Sequence, residues 1–285
     1  MAITTGVLRH SFPLVCLALA SAACGASKMH VAQSTSPSTA AYGGDYAPAQ
    51  PGHAAIDTGY GGGGYVAEPA PERPGLGTSW GEHVSAPISF APFTRASTDP
   101  WAEVALHYND AQGVAAHAAY LGTSPIPLEV AAGDGSLSVA LVDDAGRTLP
   151  GYHANSRALV IGNDGGRYRL VVRNATTARF EIVASVDGLD VIDGKPADPN
   201  RRGYIVDPHD TLVIDGFRTS DDGVAAFRFG RVADSYAAQT SGDRNVGIIG
   251  FAIFAERGAV WTRAELTTRD TANPFPSRGY ATPPR

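Results

Sequence analysis

Arg167-Tyr168-Arg169-Leu170-Val171-Val172-Arg173-Asn174, followed after a short polar break by Phe180-Glu181-Ile182-Val183-Ala184-Ser185-Val186, decides the fold class. In the first run Tyr168, Leu170 and Val172 alternate with Arg167, Arg169 and Val171. In the second, Phe180, Ile182, Ala184 and Val186 alternate with Arg179, Glu181 and Ser185. A β-strand turns successive side chains to opposite faces, so a period of two marks one wet and one dry face. Asn174-Ala175-Thr176-Thr177 between the runs is turn chemistry, and two such runs joined by a short polar loop predict a hairpin. Asn174-Ala175-Thr176 also matches a glycosylation sequon, which we read as the turn itself.

The same rhythm extends both ways. Upstream, Leu137, Val139 and Leu141 alternate with Ser138 and Ala140, and Asn163-Asp164-Gly165-Gly166 is a turn. Downstream, strands are predicted at 203–206, 211–215, 224–229, 246–254 and 259–266. The stretch 246–254 is apolar at nearly every position, the mark of a strand buried on both faces in the middle of a sheet. Glu256-Arg257-Gly258 reads as a tight turn, and 231–239 as one short helix. Roughly ten short strands without strand–helix alternation predict a mostly β protein, an antiparallel β-sandwich of two packed sheets.

Before the strands, the pattern is helical. Asp99-Pro100 supplies a capping side chain and a proline at the first helical position. Trp101, Val104, Ala105 and Tyr108 fall on one helical face, and after Asp110 the spacing repeats with Val114, His117, Ala118 and Leu121. Gly122 is placed to terminate the helix, so one or two short N-terminal helices are expected, with His117 packed rather than ligating. The domain is therefore predicted over 99–266, with a flexible, proline-bearing tail over 267–285.

Residues 24–98 are rich in Gly, Ala, Pro, Ser and Thr and sustain no period, so a disordered spacer is expected. About 75 flexible residues have a root-mean-square reach of roughly 50 Å. Tyr42, Tyr46, Tyr60 and Tyr65 are read as ordinary linker residues, the alternative being a sticky segment that touches wall polymer or a partner. Trp80, Ile88, Phe90 and Phe93 raise the apolar content near its end, as an extended strap against the domain would.

The first residues read as a targeting segment: Arg9, a short apolar run over 12–20, then Ser21-Ala22-Ala23-Cys24. The run is too short to span about 30 Å of hydrocarbon as a retained helix. This segment resembles a bacterial lipoprotein signal, with Ala22, Ala23 and Cys24 matching the lipobox and Ser21 where leucine is commoner. The resemblance implies removal of 1–23, attachment of palmitate-type acyl chains to Cys24, and residence in the envelope of a Gram-negative bacterium, by the outer membrane. Ala20-Ser21-Ala22 is also an A-x-A site, so cleavage without lipid is the alternative.

Composition narrows the function classes. A formal charge of −6 offers no basic field for phosphates, which argues against nucleic acid. The only cysteines are Cys16 and Cys24, so the folded region has neither a disulfide nor a thiolate metal site. Two acidic clusters invite chemistry. Asp187, Asp190 and Asp193 suggest a calcium loop, but they are three apart with apolar residues between, and turn chemistry explains the Asp-Gly pairs without an ion. Asp221 and Asp222, with Arg218, Arg228, Asp234, Tyr236, Arg244 and Asn245, compose a candidate polar pocket at a sheet end. Structural arginine–carboxylate pairing accounts for the same residues. No phosphate loop occurs, and no metal or cofactor is called for.

Ser185-Val186-Asp187-Gly188-Leu189-Asp190-Val191, Asp193-Gly194-Lys195, Arg202-Gly203-Tyr204-Ile205-Val206 and Ile214-Asp215-Gly216-Phe217-Arg218 carry a second likeness. Val224-Ala225-Ala226-Phe227-Arg228-Phe229, Asp234-Ser235-Tyr236-Ala237-Ala238 and Arg244-Asn245-Val246-Gly247-Ile248-Ile249-Gly250 complete it. Together they resemble an uncharacterised domain of exported Gram-negative proteins, which implies no activity. The expectation is a membrane-anchored, non-catalytic binding or interaction module with an envelope protein or glycan as partner. The alternatives are a carbohydrate-binding module using Trp261 or Tyr204, and a hydrolase using Asp221 and Asp222.

Overall fold

The computed structural model describes residues 29–34 and 72–274. The signal segment, Cys24, most of the predicted spacer and the last eleven residues of the predicted tail lie outside the described residues. In chain order, β1 (Met29–Ser34), β2 (Leu76–Ser85), β3 (Ile88–Phe93) and β4 (Ala102–Asn109) come before helix α1 (Ala111–Ala118). There follow β5 (Ile126–Pro127), β6 (Glu129–Ala132), β7 (Leu137–Val142), β8 (Pro150–Ala154), β9 (Arg157–Ile161), β10 (Arg167–Asn174) and β11 (Phe180–Val186). Next are β12 (Leu189–Asp190), β13 (Tyr204–Val206), β14 (Thr211–Ile214), β15 (Gly216–Arg218) and β16 (Gly223–Arg231). Helix α2 (Tyr236–Thr240), β17 (Ile248–Ala255) and α3 (Thr262–Asp270) finish the described chain.

These strands make the β-sandwich that the alternation predicts. One sheet has ten strands in the order β3-β1-β13-β11-β17-β4-β9-β8-β5, with β12 on β11. The other has seven, β15-β16-β10-β7-β6, with β14 on β10 and β2 on β16. Pairing is antiparallel except between β1 and β3 and between β4 and β9. The core lies where the dry faces meet: Tyr168, Leu170 and Val172 of one sheet and Phe180, Ile182 and Ile253 of the other are fully buried. Phe180, Trp101 and Trp261 close one end, with ring centroids 5.1–5.3 Å apart.

The expected hairpin is not one. β10 pairs with β7, β14 and β16, whereas β11 pairs with β12, β13 and β17, so the two runs lie in opposite sheets. Asn174 makes the crossing: its amide donates to the carbonyls of Ala178 and Asp207 at 2.7 and 2.9 Å, and its Oδ1 accepts from Thr176 N at 2.9 Å. With both ends of its side chain engaged and 3% exposure, Asn174 is a structural turn residue.

Four further expectations are corrected. Residues 101–108 form a strand, because Ala102, Val104, Leu106 and Tyr108 also satisfy a period of two and β17 and β9 supply partners on both sides. The helix begins only after Asp110, whose carboxylate accepts from Gly113 N at 2.6 Å; Val114 and Ala118 are buried, and His117 is exposed rather than packed. At the other end, 259–266 is not a strand: α3 occupies it and extends to Asp270, with an Arg269–Glu265 pair one turn apart. Ordered structure also starts well before residue 99, because β1, β2 and β3 are paired strands of the two sheets.

β17 is central, as its composition implies, between β11 and β4. Only one of its faces is fully dry, however. Ile249, Phe251 and Ile253 point into the core, while Ile248, Gly250 and Ala252 are half-buried on the outer face of the ten-stranded sheet. That outer face carries the site described next. Among the described residues no helix is long and apolar enough to cross a membrane.

Candidate functional site

Backbone pairing builds a concavity on this face. After β3 the chain runs beside the end of β17: Ala96 N donates to Ala255 O at 2.9 Å and Arg257 N to Thr94 O at 2.7 Å. This brings Arg95 and Arg257 to one rim. The opposite rim is the loop before β13, where Asp198 Oδ1 accepts from Asn200 N at 2.8 Å and its carbonyl accepts from Arg201 N at 3.0 Å. Gly203 then passes so close to β11 that a Cβ there would stand 2.3 Å from Ile182 O, so glycine is required. The result is a pocket of 460 Å³ walled by Arg95, Arg201, Arg202 and Arg257, with Thr94 and Ser97 among its other lining residues.

The four guanidiniums are not equivalent. Glu181, 3% exposed, uses one oxygen for Arg95 Nε at 2.7 Å and the other for Gly203 N at 2.7 Å. Arg95 continues to the carbonyls of Pro199 (2.9 Å) and Arg201 (2.5 Å), and its guanidinium carbon sits 3.6 Å from the Phe254 ring centroid. It is a strut that ties the 198–201 loop to the sheet. Arg201 pairs with Asp193. Glu256, beside Arg257 in the chain, is taken by Arg179, whose Nε lies 2.9 Å from Oε2. Arg202 lies 5.7 Å from the Phe90 ring centroid, and neither it nor Arg257 has a carboxylate within ion-pair distance among the described residues.

The residues singled out in the sequence do not form one cluster, and of them only Asp193 reaches this pocket, through Arg201. Asp187 points into the core, where it accepts from Thr78 N (2.8 Å), Tyr108 Oη (2.6 Å) and Gly247 N (2.9 Å). Burial raises its pKa above the usual carboxylate range, and it likewise pushes the neighbouring Tyr108 and Tyr168 hydroxyls well up. Asp190 caps its own turn through Ile192 N and Asp193 N, and burial raises its pKa too. Asp193 reaches outward to Lys195 N and Arg201. Among the described residues no group of three or more His, Cys, Asp or Glu side chains could hold a metal ion.

Arg218 donates to Tyr204 Oη at 2.8 Å and to the carbonyls of Ala86 and Ser220 at 3.0 Å. Asp221 and Asp222 stand exposed at a hairpin tip, where their carbonyls accept from Ile88 N and Ala86 N. Arg228 lies elsewhere, on the outer face of the seven-stranded sheet, bound to Glu82 at 2.7 Å. That hydrogen bond to Arg228 holds the Glu82 carboxyl below its ordinary range. Asp234 pairs with Arg231, Tyr236 packs on Trp80 and Phe217, and Arg244 and Asn245 are exposed. The proposed sugar platforms are buried, Trp261 at 7% exposure and Tyr204 at 0%.

Sequence reasoning missed the pocket arginines. The adjacent pair Arg201-Arg202 was visible, but nothing local says that residues 95, 201, 202 and 257 meet. No family model, no curated protein and no solved structure matches this chain.

Proposed function

We propose that this chain is an exported, lipid-anchored envelope protein whose β-sandwich is a non-catalytic binding module, with the arginine-lined pocket as its binding site. The pocket is the observation that carries the reading: a concavity of 460 Å³ has four arginines, two threonines and a serine among its lining residues. Its rims are fixed by backbone pairing and by the Arg95–Glu181 strut, so a ligand would meet a preformed site. The Ser21-Ala22-Ala23-Cys24 lipobox supports the anchor, and several acyl chains at about 0.8 kcal/mol per buried methylene would hold the protein on a membrane.

The anchor is tested by expressing the full chain in a Gram-negative host and partitioning the envelope with detergent. The parent should enter the detergent phase and Cys24→Ser the aqueous phase. Equal partitioning of both proteins would end the lipoprotein reading and leave a secreted one.

A further inference from the structure

We propose that the pocket takes a small ligand that combines an anionic group, carboxylate or phosphate, with a hydroxylated body, a sugar acid or sugar phosphate being the type. The proposal rests on reading the pocket as the binding site and goes further by naming what fills it. Charge is the first argument. The carboxylates nearest the pocket arginines are paired, Glu181 with Arg95, Asp193 with Arg201 and Glu256 with Arg179, while Asp198 on the rim turns its Oδ1 to Asn200 N and Nδ2 and forms no ion pair among the described residues. Arg202 and Arg257 therefore bring uncompensated positive charge to one concavity of a chain whose formal net charge is −6. A planar fork of N–H donors suits a carboxylate or phosphate, which it can bind through two parallel hydrogen bonds.

Geometry is the second argument. The Arg202 guanidinium carbon lies 5.7 Å from the Phe90 ring centroid, and the backbone of Arg257 is held at the opposite rim by its hydrogen bond to Thr94. The volume of 460 Å³ falls in the usual range for small-molecule pockets, about 300–1,000 Å³. Thr94, Ser97 and Thr98, which carry hydroxyls, and Asn200, which carries an amide, are among the lining residues. Hydroxyls and an amide are both donors and acceptors, the complement of a polyol. A single concavity also differs from the extended basic stripe that a polynucleotide backbone needs.

Calorimetric titration of the full chain with glucuronate, glucose 6-phosphate, glucose and inorganic phosphate tests this. One of the two charged sugars should bind, more weakly as salt rises, and glucose should not. Which of them binds tells carboxylate from phosphate. Arg202→Ala and Arg257→Ala, both at exposed positions, should each weaken binding about tenfold or more with unchanged melting temperature. Asp221→Ala, at the distant hairpin tip, should bind as the parent does. Glucose binding as tightly as glucuronate, and being lost on blocking the pocket, would overturn the anionic ligand while keeping the pocket as a site. Inorganic phosphate binding as well as glucose 6-phosphate would overturn the hydroxylated body. No binding by any probe would overturn both the ligand class and the site.

Discussion

Replacing Asp187 by asparagine probes the buried polar centre of the sandwich. Asp187 Oδ1 accepts from Tyr108 Oη and Gly247 N, and Oδ2 accepts from Thr78 N. Thr78 Oγ1 in turn lies 2.7 Å from Tyr108 Oη and 2.5 Å from Tyr168 Oη, so one carboxyl organises both sheets. Asparagine keeps the shape and tolerates the φ of +55° at this position. Its NH₂ cannot accept, however, so in either orientation one backbone N–H, of Thr78 or of Gly247, loses its partner. A stranded buried donor costs about 1–3 kcal/mol.

The cost should depend on pH. Burial raises the folded-state pKa of Asp187, so the stability it contributes is fully present below the unfolded pKa of about 3.9 and is lost as pH rises through the folded value. A protonated carboxyl still accepts both N–H bonds, and asparagine does not titrate. The variant should therefore trail the parent by about 1–3 kcal/mol at the acid end of the folded range, with the gap narrowing toward pH 8. Urea unfolding of both proteins across that range measures it. A gap that is constant or widens with pH, or that vanishes in acid, would refute the reasoning.

Two other substitutions test the framework. Phe180→Ala empties a fully buried position against Trp101 and Trp261, and should cost about 3–5 kcal/mol in urea unfolding. Arg95→Ala leaves the Glu181 carboxylate buried beside Gly203 and should cost about 3 kcal/mol, the low end for a broken buried pair because Arg95 is partly exposed. Adding Glu181→Gln should recover part of that loss; a loss within about 0.5 kcal/mol for Arg95→Ala alone would remove its role as a strut.

How far the sequence could be read follows from what each signal reports. Period-two alternation reports that a segment has a dry face, and Tyr168, Leu170, Val172, Phe180 and Ile182 all turn theirs inward. It does not report the partner. A hairpin and a crossing between sheets need the same alternation and a short polar loop, and the difference here lies in the bond from Asn174 to the distant Asp207 carbonyl. Residues 101–108 carry both periods at once, so the flanking strands β9 and β17 settle their state. Similarly, α3 is a polar helix, held to the domain by Trp261 Nε1 donating to Asp134 at 2.9 Å rather than by a wide apolar stripe. Of the site, only the Arg201-Arg202 pair was legible, since the pocket depends on 94–96 lying beside 255–257. Asp187 drew notice for its charge, and its structural role depends on Thr78, Tyr108 and Gly247, remote in sequence.

Arginine side-chain NMR of the full chain during titration with glucuronate and with glucose 6-phosphate tests the central claim most directly. The Nε–Hε signals of Arg202 and Arg257 should shift together, saturably and at one midpoint, while those of Arg167 and Arg228 on the opposite sheet stay in place. Shifts confined to arginines outside the pocket, or none at all with either sugar, would contradict a binding module whose site lies there.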